Sequence, residues 1–507
     1  MVTITRKSIF NVCRFSLCCK SAENKQCSET EVSSVCLFYM KEQINLISCL
    51  IRTNIVKYFI MNNLIQPKIL KGFRDFLPNA EIERALLSEK LVKAFRSCGF
   101  VPIDTPALEY SEILLRKSGG ETEKQVFRFN DNGGRDVSLR FDLTVPLARF
   151  VAEHYSEIYF PFKRYHIGKV WRGEKPQAGR YREFMQCDFD IIGTDTSASD
   201  FEILYLIKKS LNELNVSDFK IHISHRGIFN RFLKRLKIEE QSEEILRIVD
   251  KLAKIGKDEV LNLLTELSSR ENAEKILDYI SGGTDNTAAS DFKKTLLHVE
   301  MLAGGESEDS LRMKEIYSFA EAVGIQNYVV FDPSITRGLD YYTGVVYETF
   351  LTKLPSIGSV CSGGRFADLT GLYMKEPVSG VGASIGLDRL LAALEQLGEN
   401  HPRGSFTDLI IFTVDDDLAL SYKIASFFEN NGINTEVYPE PKKMNQQYVY
   451  AEKKDISWGV FILHNGDCNK KIDFDSFKIK LKNLKTRSEE DVTVHSALQK
   501  LKNSIHG

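Results

Sequence analysis

The chain holds 507 residues, room for about two to four domains, and its 43% hydrophobic content is enough for packed cores. Lysine and arginine total 67 against 69 aspartate and glutamate, a net charge of -2. That balance excludes whole-chain electrostatic steering to a polyanion, so any phosphate-binding surface must be a local basic patch.

The first sixty residues differ from the rest. They hold Cys13, Cys18, Cys19, Cys27, Cys36 and Cys49, with no acid before Glu23. Arg, Lys, Ser and Thr without acids is the composition of a mitochondrial transit peptide. The favoured reading is a mis-assigned start with translation beginning at Met61, because nothing before it reads as a packed domain. The run Ile44 to Ile60 is broken by Arg52 and Lys57 and makes a poor membrane span. The other cysteines, Cys98, Cys187, Cys361 and Cys468, lack zinc-type spacing, which points to a reduced compartment without disulfides.

The spacing of Ile82, Leu86, Leu87, Leu91 and Phe95 predicts a helix over Asn79 to Cys98, stopped by Gly99. Strands are expected at Gln125 to Phe129, Val137 to Phe141, Tyr165 to Arg172 and Phe184 to Ile192. Ser199 and Glu202 read as a capping box opening a helix to about Asn215. Residues 226–324 carry helical periodicity and charge without strand signals, as an inserted helical unit would. Strands resume at Tyr328 to Phe331 and Val345 to Leu351, and Gly380 to Gly398 starts Gly-rich and becomes a helix. Pro402 to Ser405 reads as a linker. Beyond it, Asp408 to Val414, Ile433 to Tyr438 and Ser457 to Leu463 read as strands. They alternate with helices at Leu418 to Asn430 and Lys442 to Lys454, which predicts a small α/β domain with a mostly parallel sheet.

Three segments concentrate chemistry. In Val170 to Gln186, two strands and a loop would gather Arg172, Arg180 and Arg182, whose guanidinium forks suit phosphoryl oxygens. Taken on charge alone, a solvated hairpin fits equally well. Thr336 to Gly344 puts Arg337 beside Gly338 and then Tyr341 and Tyr342, although either tyrosine alone reads as core. In Ser379 to Arg389, small residues at alternate positions leave one strand face open to a flat ligand. The run lacks the Lys-Ser/Thr of a P-loop, so a Walker-type site is not expected.

Together and in this order the segments resemble class II aminoacyl-tRNA synthetases, and the second resembles the histidine-specific peptide of the histidyl-tRNA synthetase family. Gly99 to Pro106 resembles motif 1, Arg172 to Gln186 motif 2, and Gly386 to Arg389 motif 3. Cys361 to Phe366 resembles the second histidine peptide, with Phe366 where tyrosine is usual, and Lys71 to Pro78 the N-terminal signature. The likeness runs from about Lys71 to the C-terminus. It implies an α+β fold, with an antiparallel-sheet catalytic domain over 61–400, a helical insertion at 226–324 and a C-terminal α/β anticodon-binding domain over 405–507. It implies that ATP and L-histidine form an adenylate and that tRNA(His) takes the histidyl group. Arg172 and Arg337 would be catalytic. Glu174, Arg180, Arg182, Phe184 and Arg389, with Arg172, would bind ATP. Asp142, Thr144 and Gln186 would hold the α-amino group, and Asp190, Tyr341 and Tyr342 would line the histidine site, Asp190 and Tyr342 reading the imidazole. Lys175 and Gln177 would touch the acceptor end of tRNA.

Mg²⁺ would accompany the β- and γ-phosphates without a protein cage. A homodimer without membrane attachment is expected, cytoplasmic, or mitochondrial if residues 1–60 are a transit peptide. Lys442, Lys443, Lys478, Lys480, Lys482 and Lys485 are candidate phosphate contacts or, equally, a solvated face. The rival within the family fold is the non-catalytic regulatory subunit of ATP phosphoribosyltransferase, in which the arginine peptide and C-terminal domain are typically lost or degraded. A rival of another class is an RNA-binding protein that kept the fold without the ATP-contacting arginines.

Overall fold

The computed structural model describes residues 65–115, 123–176, 179–282, 291–335, 342–368, 370–399, 403–414, 418–463 and 473–506. The transit-like segment, Gln177, Arg337 and Tyr341 lie outside them. The chain divides into two units, Met1–Ile69 and Leu70–Gly507. In the first, residues 65–69 form neither helix nor strand.

The second unit begins with helix α1 (Pro78–Ser97), which buries Ile82, Leu87, Leu91, Ala94 and Phe95. Gly99 follows at φ +79°, a left-handed turn that suits glycine. Then come β1 (Val101–Pro102), β2 (Leu108–Tyr110), α2 (Ser111–Leu115), β3 (Arg128–Asn130), β4 (Asp136–Leu139), α3 (Thr144–Glu153), and the long pair β5 (Phe162–Trp171) and β6 (Glu183–Ile192). The strand expected from Gln125 is shorter than the sequence suggested, because Glu123–Gln125 is a 3₁₀ turn. Helix α4 (Ser197–Glu213) is capped one turn earlier than expected: the Thr196 side chain, not Ser199, accepts the backbone N–H of Ser199 at 3.2 Å. Thr196 is also a favoured cap residue three residues ahead, and the buried Ser199 instead accepts from Arg365.

After β7 (Phe219–His225) the chain runs through α5 (Arg226–Leu236), α6 (Ser242–Val249), α7 (Leu252–Ile255), α8 (Lys257–Leu267), α9 (Arg270–Ser281), α10 (Phe292–Leu302) and α11 (Glu308–Ala322). It returns to the sheet as β8 (Val329–Phe331), β9 (Val345–Leu351), β10 (Cys361–Phe366) and β11 (Gly380–Gly386), and closes with α12 (Leu387–Leu397). The strand order is β1-β5-β6-β11-β10-β9-β7-β8, antiparallel except where β1 meets β5 and β7 meets β8. Phe229, Val260, Ile276, Val299 and Ile316 of the helical stretch join Phe95, Phe189, Ile221 and Val381 in one hydrophobic core. The helices therefore pack as part of the body.

The C-terminal region has its own sheet. Its elements are β12 (Leu409–Ile411), α13 (Leu418–Asn430), β13 (Thr435–Val437), α14 (Met444–Lys453), β14 (Trp458–Ile462), β15 (Lys478–Asn483), β16 (Glu489–Thr493) and α15 (Val494–His506). The order is β13-β12-β14-β15-β16, and Leu409, Ile411, Ile424, Phe428, Val460, Ile479, Leu481 and Leu501 form its core. The expectation of a mostly parallel sheet is corrected: β12 pairs parallel with β13 and β14, but β14–β15 and β15–β16 are antiparallel. The alternation Lys478-Ile479-Lys480-Leu481-Lys482 is a half-buried strand and not merely a basic face. Lys480 faces Glu489 and Asp491 at 3.4 and 3.3 Å, Lys482 faces Glu489 at 3.1 Å, and Lys485 faces Asp455 at 3.5 Å.

Candidate active site

Side chains alternate across a pleated sheet. On β6 and β11 the odd residues Cys187, Phe189, Ile191, Val381, Ala383 and Ile385 enter the core. The even residues face the other way. Register aligns Gly168 with Gln186 and Gly386, His166 with Asp188 and Ser384, and Arg164 with Asp190 and Gly382. Across β10, Ser384 continues to Ser362 and Gly382 to Gly364. This face therefore carries acids, amides and hydroxyls separated by small residues.

Gly382 and Gly364 have no room for a side chain. A Cβ on Gly382 would lie 2.0 Å from Asp190 Oδ1 and 2.8 Å from the Phe189 carbonyl; one on Gly364 would lie 2.8 Å from the Tyr342 ring. Asp190 and Tyr342 thus occupy space over two glycines paired across one ladder.

A cavity of about 370 Å³ opens on this face. Asp142, Thr144, Gln186 and Tyr342 line it together with Arg172, Glu174, Arg180, Phe184 and Arg389. These are residues the sequence singled out, brought together from the connection between β5 and β6, β6 itself, the turn into α3, the segment ahead of β9 and the start of α12.

The arginine end is crowded. Arg172 Nε donates to the Phe141 carbonyl at 2.9 Å, and its guanidinium lies 5.2 Å from the Phe184 ring centre. Arg389 donates to the Ser359 carbonyl at 2.5 Å. Glu174 lies 4.0 Å from Arg172 and 3.7 Å from Arg180. Burial, then the Arg180 and Arg172 charges, pull Arg389 down to about 10, and Glu174 opposes them. Cations that repel one another this way favour a bound anion.

The other end supplies acceptors. Asp142 accepts the Val145 N–H at 3.1 Å as α3 begins. Gln186 Nε2 donates to Ser384 Oγ at 2.8 Å, leaving buried Oε1 without a partner among the described residues. Burial raises the carboxyl pKa of Asp188. A charged ammonium and a polar ring suit such a wall.

The remaining expected residues sit elsewhere. Arg182 points to backbone, donating from Nε to the Glu174 carbonyl at 3.2 Å and from Nη1 to that of Lys71 at 3.3 Å. In this arrangement it braces the loop and does not line the cavity. Lys175 is exposed. Asp190, 3% exposed, shares the sheet face of Gln186 and Asp188 without itself lining the cavity.

Two supports were missed in the sequence. Asp388 accepts the Met185 N–H at 2.6 Å and Arg74 Nη2 at 2.9 Å. Arg74 itself lies 4.0 Å from the ring centres of both Phe76 and Tyr181. The N-terminal signature thereby clamps β6 to the start of α12. The available signal was an acid in the first turn of a helix, beside an arginine already singled out. Arg365, whose Nε donates to Asp200 at 2.8 Å and Nη2 to Ser199 Oγ at 2.8 Å, accepts the Thr343 N–H on its carbonyl and so carries the chain next to Tyr342.

Gly382→Ala is expected to push Asp190 aside at a cost of about 1–3 kcal/mol. If the resemblance holds, KM for the expected amino acid should rise about tenfold or more while that for the expected ATP changes little. An unaltered amino-acid KM would show that the space over Gly382 is not used.

Residues 72–390 match the family model described as Histidyl-tRNA synthetase. A Treponema denticola protein named histidine–tRNA ligase is 71% identical over 447 residues, covering 88% of this chain and 100% of the relative. One from Treponema pallidum with the same name is 54% identical over 446 residues, 87% of this chain and 99% of the relative. The crystal structure of histidyl-tRNA synthetase from a Nostoc species superposes with a TM-score of 0.75 at 29% identity, covering 87% of this chain and all of that one. These relatives carry the ligase name and not that of the regulatory subunit. With the sheet, the arginine cluster and the acceptor wall in one cavity, the match places the chain in the histidyl-tRNA synthetase family, with the α+β fold of class II aminoacyl-tRNA synthetases.

Proposed function

We propose that the two ends of the cavity divide the substrates of a histidine–tRNA ligase: ATP lies against Arg172, Arg180 and Arg389, and L-histidine against Asp142, Thr144, Gln186, Asp190 and Tyr342. The observation that carries this reading is the adjacency, in one cavity, of mutually repelling arginines and a wall of buried acceptors. Phe184 and Arg389 sandwich the adenine by stacking and cation–π contact. The histidine carboxylate attacks the α-phosphorus, pyrophosphate leaves, and histidyl-adenylate forms. Charge spreads over the phosphoryl oxygens, where preorganised cations stabilise it. Arg172 contributes from motif 2, and Arg337 bridges the carboxylate and α-phosphate. A terminal ribose hydroxyl of tRNA(His) then attacks the carbonyl carbon and AMP leaves.

Asp142, Thr144 and Gln186 hold the α-ammonium, Asp190 and Tyr342 take the ring, and Tyr341 completes the histidine site. Mg²⁺ would accompany the β- and γ-phosphates and neutralise their charge. The region 405–507 binds the anticodon, the helices of 226–324 contact the acceptor stem, and Lys175 and Gln177 meet the acceptor end. The protein works as a cytoplasmic homodimer through the Gly99–Pro106 segment. Among the described residues no helix is long and apolar enough to cross a membrane.

Purified protein should exchange pyrophosphate into ATP only when histidine is present, and should charge tRNA(His) alone from a mixed pool. Exchange that is indifferent to histidine would overturn the assignment.

A further inference from the structure

Arg164 on β5 and Asp190 on β6 are register partners, and the row continues through Gly382 to Gly364. Arg164 is wholly buried and Asp190 nearly so. Arg164 Nη2 approaches Asp190 Oδ2 to 2.7 Å. The contact is between charges side by side and not an aligned hydrogen bond: Oδ2, like Arg164 Nε and Nη1, completes none among the described residues. The Leu143 carbonyl, 3.5 Å from Nη2, is a distant second partner. Buried polar groups are nearly always satisfied, so the accepting capacity left on Asp190 marks a place that a ligand N–H completes. Asp190 Oδ1 leans over Gly382, beside the Tyr342 ring over Gly364.

We propose that Arg164 is a positioning residue for ring recognition: it touches Asp190 and not the substrate, and keeps that group an anionic acceptor turned over Gly382, so that the site takes a ring bearing an N–H and rejects rings of similar size without one. The inference rests on the assignment of the imidazole to Asp190 and Tyr342. A site built around a buried hydrogen-bonding group discriminates this way because the wrong ring leaves it unpaired. The electrostatics agree. Burial is the largest influence on Asp190 and pushes it up to about 7; Arg164 from β5 opposes this, while Asp188 on β6 and Asp142 ahead of α3 add to it. Among the described residues, Tyr342, from the segment ahead of β9, also stands over this row. The accepting carboxylate exists above the pKa of Asp190 and is lost as pH falls through it. Removing Arg164 raises that pKa, so the acceptor is lost at a higher pH.

The test is histidine-dependent pyrophosphate exchange from about pH 6 to 9. It is run also with 1,2,4-triazolylalanine, whose ring keeps an N–H and stays neutral, so that the profile reports the enzyme. Arg164→Met should raise KM for both amino acids about tenfold at neutral pH, with kcat and the KM for ATP within about threefold of wild type. The excess should shrink as pH rises. Discrimination against 2-thienylalanine, which lacks the N–H, should fall about tenfold. Arg164→Lys should restore the profile, and in an Asp190→Asn background Arg164→Met should add nothing. A profile superposing on wild type, or a KM rise equal at every pH and undiminished in the Asp190→Asn background, overturns the proposal. Should Arg164→Met not fold, a folded Arg164→Lys whose profile has moved to higher pH overturns it equally. Wild-type protein without histidine-dependent exchange would instead sink the functional assignment, whatever the variants do.

Discussion

Arg172→Ala is expected to lower histidine-dependent pyrophosphate exchange by about 10²–10³, the usual loss when one preorganised electrostatic group is removed from a transition state. The geometry leaves few substitutes. Arg172 leaves the end of β5, is tethered through Nε to the Phe141 carbonyl and lies over the Phe184 ring, so its remaining N–H groups are directed and not free to search. Arg180 and Arg389 flank the same cavity but are held by Glu174 and by the Ser359 carbonyl. A lysine at position 172 would keep a charge but lose the fork, so Arg172→Lys should recover only part of the rate. Arg172 is partly exposed and outside the hydrophobic core, so the melting temperature should move little. Stopped exchange with an intact fold supports the assignment; exchange within about threefold of wild type sinks it.

How much of this was legible in the sequence follows from what each residue's neighbours are. Helices such as Pro78–Ser97 and Leu418–Asn430 were readable because local spacing of apolar residues specifies them. The cavity residues on β6 and β11 were readable as motifs because alternation on one strand puts them on one face. Residues whose partners are distant in sequence were not. Asp388 meets Arg74 across 314 positions, and Arg365 meets Asp200 across 165. For Asp388 the local sequence offered only its place in the first turn of a helix, and for Arg365 nothing that set it apart from a surface charge. The hairpin Lys478–Thr493 was missed for the opposite reason: its lysines suggested a polyanion partner, while Ile479 and Leu481 between them were the signal of a half-buried strand. Arg182 carries the same lesson within a motif, since a shared hairpin did not put all three arginines on the cavity wall.

Removing everything after Gly404 should separate the two half-reactions. The residues proposed for ATP and histidine all precede that point, and Leu409, Phe428, Val460 and Ile479 belong to a hydrophobic core distinct from that of the larger sheet. The truncated body should therefore keep its own core and retain histidine-dependent exchange within about threefold. Charging should fall much further, because the region proposed to bind the anticodon is gone. Every tRNA phosphate that the removed region had neutralised takes about 0.7–0.9 off the slope of log affinity against log salt, so tRNA binding should become weaker and flatter in its salt response. Lys480, Lys482 and Lys485 already face acids, so the truncation should weaken binding more than neutralising these lysines one at a time. The subunit state has to be measured on the same preparation by sedimentation, since loss of a dimer would depress both half-reactions together. A dimeric truncation that binds and charges tRNA(His) as well as the full chain would mean that the C-terminal sheet has some other task.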